Sequence, residues 1–288
     1  MSLSTLGQAV LAGLANGAFY AFLALSFAVI QTLTRALNLA HGELIILGGY
    51  VGYAAGRVLG VGPMLLAPLA ALALLPLGLA WRTLIARLRE PVELNSLLLT
   101  FGLSLLLQNG MLAVWTADYR LIASPAPGSE GWFPGVSPER AAAAAVGLGV
   151  ILGLHLLVSR TRWGVALRAL SRDAETAAVL GVNTDRVSTA SFAVAAAIAG
   201  AGGVLFAAFH YLHPAAGVEL TLLAITLTFL GQAWGPGRQL PGLLVAGLAV
   251  GLVESGVIAS AGPQWRELVV AALLLAVLLW RTPSGTAR

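Results

Sequence analysis

The chain of 288 residues is 58% hydrophobic and 10% charged, with a mean hydropathy of +0.89, too little polar material to clothe a water-soluble globule of this size. Its 16 basic residues are all arginine and give a net charge of +4; they lie dispersed between apolar runs without aromatic interleaving, which argues for a membrane orientation signal and no nucleic acid partner. The missing lysine excludes a P-loop, whose G-x-x-x-x-G-K-[ST] needs one, and a Schiff-base enzyme, while the missing cysteine excludes disulfides and thiolate chemistry.

Charge-free runs near 20 residues, without the alternating pattern of a barrel strand, predict an all-α, polytopic transmembrane bundle of about eight to ten spans forming one domain over residues 1–288. The candidate spans are 6–33, 43–59, 64–81, 94–115, 141–158, 187–212, 220–233, 240–259 and 268–280. The first reads as a retained helix, because no positive charge precedes it before Arg35 and it exceeds the length of a signal-peptide core. The second and seventh are short and interrupted by Gly48-Gly49 and by Gly231, so they are candidates for broken or re-entrant helices. Small residues at Gly147-x-Gly149-x-x-x-Gly153, Gly200-x-Gly202-Gly203 and Gly247-x-x-x-Gly251 permit close helix approach, a packing signal that names no function.

Arginine bias sets the expected orientation. Twelve arginines collect on the side holding Arg35, the stretch 82–89, the stretch 160–186, Arg238 and the tail from Arg281; Arg57, Arg120, Arg140 and Arg266 fall opposite. The richer side is expected to be cytoplasmic, with the amino terminus outside, the carboxyl terminus inside and the proline-rich stretch 117–139 as an external loop. Residues 160–186 form the longest polar interruption, holding five arginines and three acids. From Gly164 to Leu180 the spacing predicts one amphipathic helix, closed by Gly181 and followed by a turn in which Asn183 and Asp185 can cap the next helix. The alternative is an ordinary interfacial helix with arginines on lipid phosphates.

The residues of this loop carry a resemblance. Glu175-Thr-Ala177-x-x-x-Gly181 resembles the E-A-A-x-x-x-G element of bacterial ABC importer permeases, with Thr176 departing from its second position. Arg168, Asp173, Glu175, Ala177, Gly181 and Asn183 fall where the branched-chain amino acid permeases carry an arginine- and acid-rich helix followed by G-[IV]-N. Gly17-Ala-Phe-Tyr20-Ala and Leu37-Asn38-Leu-Ala-His41-Gly-Glu43 are similar to that family's amino-terminal segments, as are Gly200–Val204 and Leu240-Pro-Gly242 followed by Glu254. The stretch from Gly231 to Gln239 departs from the family pattern. The resemblance implies a non-catalytic permease subunit of a bacterial inner-membrane importer in an alternating-access cycle. Its implied partners are separate ABC ATPase subunits docking on 160–186, a second related permease in a heterodimer, an extracytoplasmic solute-binding protein, the bilayer and a branched-chain or related amino acid; it implies no cofactor.

Polar residues inside apolar runs cost roughly 2.5–3.5 kcal/mol when charged, so they face a partner or a wet path. Asn16, Asn38, His41, Glu43 and Glu254 are on that ground candidates for the translocation path; the competing reading is that they cap helices or satisfy one another, with Glu254 bonded to Asn16 or to backbone. His210 and His213 stand three apart before Pro214, with no acid at ligand spacing for a metal. Two other functions remain in view. An ion-coupled carrier would depend on Glu43 or Glu254 and gives the polar loop no role; an intramembrane enzyme lacks a G-x-S-x-G nucleophile context.

Overall fold

The computed structural model describes residues 3–34, 38–88, 91–122, 135–235 and 238–265, with residues 268, 271–273, 275, 276 and 279. Part of the expected span 268–280, the greater part of the expected loop 117–139, and Arg35, Arg89, Arg266, Arg281 and Arg288 lie outside the described residues. The helices are α1 (Leu3–Thr34), α2 (His41–Leu59), α3 (Pro63–Ile85), α4 (Val92–Trp115), α5 (Pro138–Arg160), α6 (Arg162–Arg172), α7 (Ala174–Val179), α8 (Thr184–Ala207), α9 (Ala216–Gln232) and α10 (Gln239–Ala261). Six of them, α1, α3, α4, α5, α8 and α10, are long and apolar enough to cross a membrane. Leu65, Leu72, Leu98, Leu106 and Leu152 stand more than half exposed on their outer faces, an arrangement stable in hydrocarbon and unstable in water.

Two pairs of antiparallel helices make the frame, α1 with α10 and α3 with α8, and α2 and α9 fill the space between them. Each pair is closed by glycine. A β-carbon on Gly247 would lie 2.5 Å from the Gly17 carbonyl oxygen, and one on Gly17 or Gly251 would strike the facing backbone in turn. In the other pair a β-carbon on Gly78 would lie 2.6 Å from the Phe192 carbonyl oxygen, and one on Gly200 would lie 2.7 Å from that of Ala70. Backbone cannot yield as a side chain can, so these positions set the helix separation. Gly149 and Gly153, in contrast, face open space.

The chain has two distinct ends. At one, α5 turns into α6, the Gln232 side chain of α9 bonds Gln31, and the Thr32 hydroxyl lies 3.3 Å from Gln239 at the start of α10. Arg82 of α3 pairs with Asp185 of α8 at 2.7 Å at the same end. At the other end, α8 stops at Ala207 and does not continue to Leu212 as the apolar run suggests. Residues 208–210 instead turn back on the end of α8, and the segment after α4 is joined at Ala207 and Leu212: Arg120 and Leu212 exchange backbone hydrogen bonds at 3.1 and 2.7 Å, and the Ile122 amide donates to Ala207. His210 and His213 therefore share no helix face, and Glu219 lies in the first turn of α9.

The α1–α10 contact is testable. Gly17→Val is expected to force the pair apart and destabilise the protein by about 1–3 kcal/mol or more, as overpacking of a tight contact does. Gly149→Ala, which meets nothing, is expected to leave thermal unfolding in detergent unchanged or slightly improved. Equal melting of the two variants would contradict the glycine-locked frame.

Candidate coupling and translocation sites

The expected amphipathic helix between residues 164 and 180 is two helices broken at Asp173. Asp173 takes an extended backbone (φ −155°, ψ 109°), and its carboxylate accepts from the amides of Glu175 (3.0 Å) and Thr176 (3.1 Å) and from the Thr176 hydroxyl (2.5 Å). The residue thus ends α6 and caps α7, satisfying amides that a continuous helix would have used internally. The Thr176 hydroxyl, with the Thr176 and Glu175 amides, holds the Asp173 carboxyl below the usual carboxylate range, so the cap stays ionised at neutral pH.

Both flanks of this elbow are built from local hydrogen bonds. Thr161 caps α6 by accepting from the Gly164 amide, and a β-carbon on Gly164 would collide with the Val158 carbonyl, so the α5–α6 turn requires glycine. Arg168 folds back and donates to that same Val158 carbonyl, a favourable place for a cation at a helix carboxyl end. At the far side, the Val182 amide donates to Ala177 and the Gly181 amide to Ala178, both at 3.0 Å, with Gly181 at φ +86°. That is a Schellman closure, which glycine enters without strain. Asn183 then caps α8 by accepting from the Arg186 amide at 2.9 Å.

The elbow is seated on the bundle through its apolar face. Leu167 and Leu170 pack with Val187 of α8, against Leu33 of α1 and Val158 of α5. The other face projects outward: Glu175 is exposed, and Val179 and Leu180 are 87% and 77% exposed. Ala177, singled out for coupling, is 2% exposed and turned inward. Of the six loop residues singled out, Asp173, Gly181 and Asn183 shape the elbow, Arg168 fastens it, Ala177 seats it, and Glu175 is presented. The apolar knob of Val179 and Leu180 was missed because it depends on helix rotation.

The polar residues of the interior fall into two groups. The first surrounds the start of α2, which lies well inside the bundle and away from its ends. His41 Nε2 is 2.8 Å from the Ser26 hydroxyl, eight residues before α1 ends, and the Leu39 amide donates at 3.1 Å to Thr100, eight residues into α4. At 1.5 Å per residue both put α2's amino end about 12 Å inside those helix ends. The Asn38 side-chain oxygen accepts from the Ala40 amide at 3.1 Å. Thr221 of α9 accepts from the Gly42 amide at 2.8 Å and directs its proton to Leu39 or Gly217 carbonyls. A β-carbon on Gly42 would strike Gly217, so the amino ends of α2 and α9 meet in the interior.

Glu43 is fully buried at this junction and packs on Gly217, where a β-carbon would lie 2.8 Å from its carboxyl carbon. Ser104 lies near its carboxylate, which makes no hydrogen bond of good geometry with a described residue; His41 Nδ1 and the Asn38 side-chain nitrogen also lack one. His41 and Glu43 do not satisfy each other. The second group lies toward the other end of the bundle: Tyr20 donates to Glu254 at 3.0 Å, joining α1 to α10, while the Asn16 side-chain oxygen is buried without a partner among the described residues. Glu254 is therefore bound by Tyr20, a residue within the amino-terminal motif, where Asn16 or a backbone group was the expected partner.

Known proteins of similar sequence identify the family. The family model described as branched-chain amino acid transport system, permease component, matches residues 9–278. The chain is 29% identical to the high-affinity branched-chain amino acid transport system permease protein LivH of Salmonella typhimurium, over 94% of this chain and 92% of that one. It is likewise 29% identical to the corresponding permease protein BraD of Pseudomonas aeruginosa, over 96% of this chain and 94% of its relative. The fructose import permease protein FrcC of Rhizobium meliloti is 28% identical over 42% of this chain and 35% of its own length. No solved structure matches the chain. With a match running through the elbow and both interior polar groups, the chain belongs to the family of branched-chain amino acid transport permease components.

Proposed function

We propose that the chain is the membrane permease subunit of an ATP-driven importer for branched-chain or chemically related amino acids. The observation that carries this reading is the α6–α7 elbow: a capped, glycine-closed projection that presents Glu175, Val179 and Leu180 while its other face grips α1, α5 and α8. A projection of this kind suits a cleft on a separate ATPase, and a chain without lysine needs one for P-loop chemistry. Motion imposed on the elbow moves three helix ends together, and the glycine-locked contacts pass it to α10 and α3. Alternating access follows if ATP-bound and ATP-free states of the motor favour different arrangements of those helices.

The elbow end is then cytoplasmic, and the start of α1 lies outside. A second, related permease would complete the path, and an exported binding protein would deliver solute to the opposite end. Interior Asn38, His41 and Glu43, at the junction of two helix amino ends, and Asn16 and Glu254, nearer the outside, are the polar positions available to line it. An ion-coupled carrier is less well supported, because family membership favours ATP-driven import and Glu254 is engaged by Tyr20.

Two measurements test the reading. Val179→Asp with Leu180→Glu is expected to weaken co-purification with the ATPase at least ten-fold, since each lost apolar anchor is worth roughly 1.5–3 kcal/mol, and to abolish ATP-dependent uptake while the permease still elutes as a folded particle. Undiminished ATPase binding by that variant would contradict docking at the knob. Gly181 gives a graded series: at φ +86° a side chain adds about 1–2 kcal/mol of strain, which asparagine tolerates best. Uptake per ATP hydrolysed should fall in the order wild type, Gly181→Asn, Gly181→Ala, Gly181→Val. A flat series would mean that the elbow's closure does not matter to coupling.

A further inference from the structure

Near the end opposite the elbow, α1, α5 and α10 enclose an open cavity of about 390 Å³, within the size range of small-molecule sites. Its rim is set by Gln8 and Gly135, and Asn16, two turns deeper along α1, puts its floor about 12 Å in. Glu254 shares that floor, held in place by the Tyr20 hydroxyl at 3.0 Å. Beyond it the backbone contact of Gly17 with Gly247 closes the space between α1 and α10, so the cavity is a blind pocket within this subunit.

Arg140 supplies the opposite charge. It enters from the first turns of α5, where the positive helix end disfavours a cation, so its placement needs another cause. Its guanidinium carbon sits 5.6 Å over the Phe209 ring, a cation–π contact that orients the group. It forms no ion pair with a described residue, and its Nε is buried without a hydrogen-bond partner. The pocket therefore holds one oriented cation and one oriented carboxylate that form no ion pair with each other, and its lining also includes His210 and the apolar Ala9, Ala12 and Ile258.

We propose that this pocket is the receiving subsite for a zwitterionic α-amino acid. The solute carboxylate pairs with Arg140, the planar fork suited to it; the ammonium meets Glu254 and the Asn16 oxygen; an aliphatic side chain lies on Ala9, Ala12 and Ile258. The small alanines leave room for a branched side chain, whereas a sugar would offer no carboxylate to the Arg140 guanidinium, a penalty in a partly desolvated site. This inference rests on the importer reading and names the head group that the path recognises.

The test is uptake of radiolabelled leucine into proteoliposomes holding the complete transporter with its binding protein, alongside co-sedimentation of that binding protein with the same vesicles. Arg140→Gln and Glu254→Gln, the latter able to keep the Tyr20 hydrogen bond, are each expected to lower uptake at least ten-fold, with binding-protein docking within two-fold of wild type. Arg140→Lys should recover part of the loss. Ala12→Leu, which narrows the apolar wall without touching either charge, should reduce leucine uptake more than alanine uptake. Near-normal uptake in both charge variants overturns the subsite. Loss of docking in Arg140→Gln also overturns it, making the rim a protein-contact surface. A wild-type complex that takes up no amino acid on ATP addition would instead sink the importer reading itself, a separate outcome.

Discussion

The backbone contact between α1 and α10 at Gly17 and Gly247 is the constraint on which the rest of the structure hangs. In hydrocarbon no solvent pressure drives apolar helices together, and close van der Waals approach is what remains. At this crossing each glycine faces the other helix's backbone, so the two helices move as one body. α1 is also the most deeply buried of the apolar spans. Its far turn, at Leu33, belongs to the apolar seat of α6, and its middle turn carries Tyr20 to Glu254. A rod of 32 residues, about 48 Å long, thus touches both the elbow and the floor of the opposite pocket.

In the proposed importer, that geometry would give coupling a physical form. A force on Val179 and Leu180 would pass through the Asp173 cap and the Gly181 closure into α6, and from α6 into α1, α5 and α8 together. Short-range hydrogen bonds hold the elbow, and the interior polar junction lies where α2 and α9 begin inside the bundle. There Thr221 serves the α2 amino end, and a buried carboxylate sits against Gly217. Such a junction, polar and tightly packed, is costly to leave half satisfied.

Much of this was legible in the sequence where the signal is local. Apolar runs located the long helices, Gly181 marked a left-handed closure, and Asn183 marked a cap, since each depends on neighbours within one turn. The break at Asp173 was also written locally, in an aspartate followed three residues later by Thr176, but the amphipathic period running across it concealed the cap. Other features depend on chain separation. Tyr20 and Glu254 are 234 positions apart, and no periodicity links them. Arg140 looked like a minority charge on the outer side, and only the arrangement of Phe209 and α10 around it reveals a lined pocket. Ala177 inward and Leu180 outward differ by helix rotation, which a motif does not encode. The end of α8 at Ala207 was hidden because the apolar run continues to Leu212, which pairs with Arg120.

The most direct test of the account uses the absence of native cysteine. A photoactivatable maleimide placed at Leu180→Cys, in membranes containing the assembled transporter, should cross-link to the ATPase subunit, and the yield should change when ATP is added. The same probe at Tyr211→Cys, exposed near the opposite end, should give no ATPase adduct. An ATPase adduct from Tyr211→Cys and none from Leu180→Cys would contradict the claim that the α6–α7 elbow is where the motor acts.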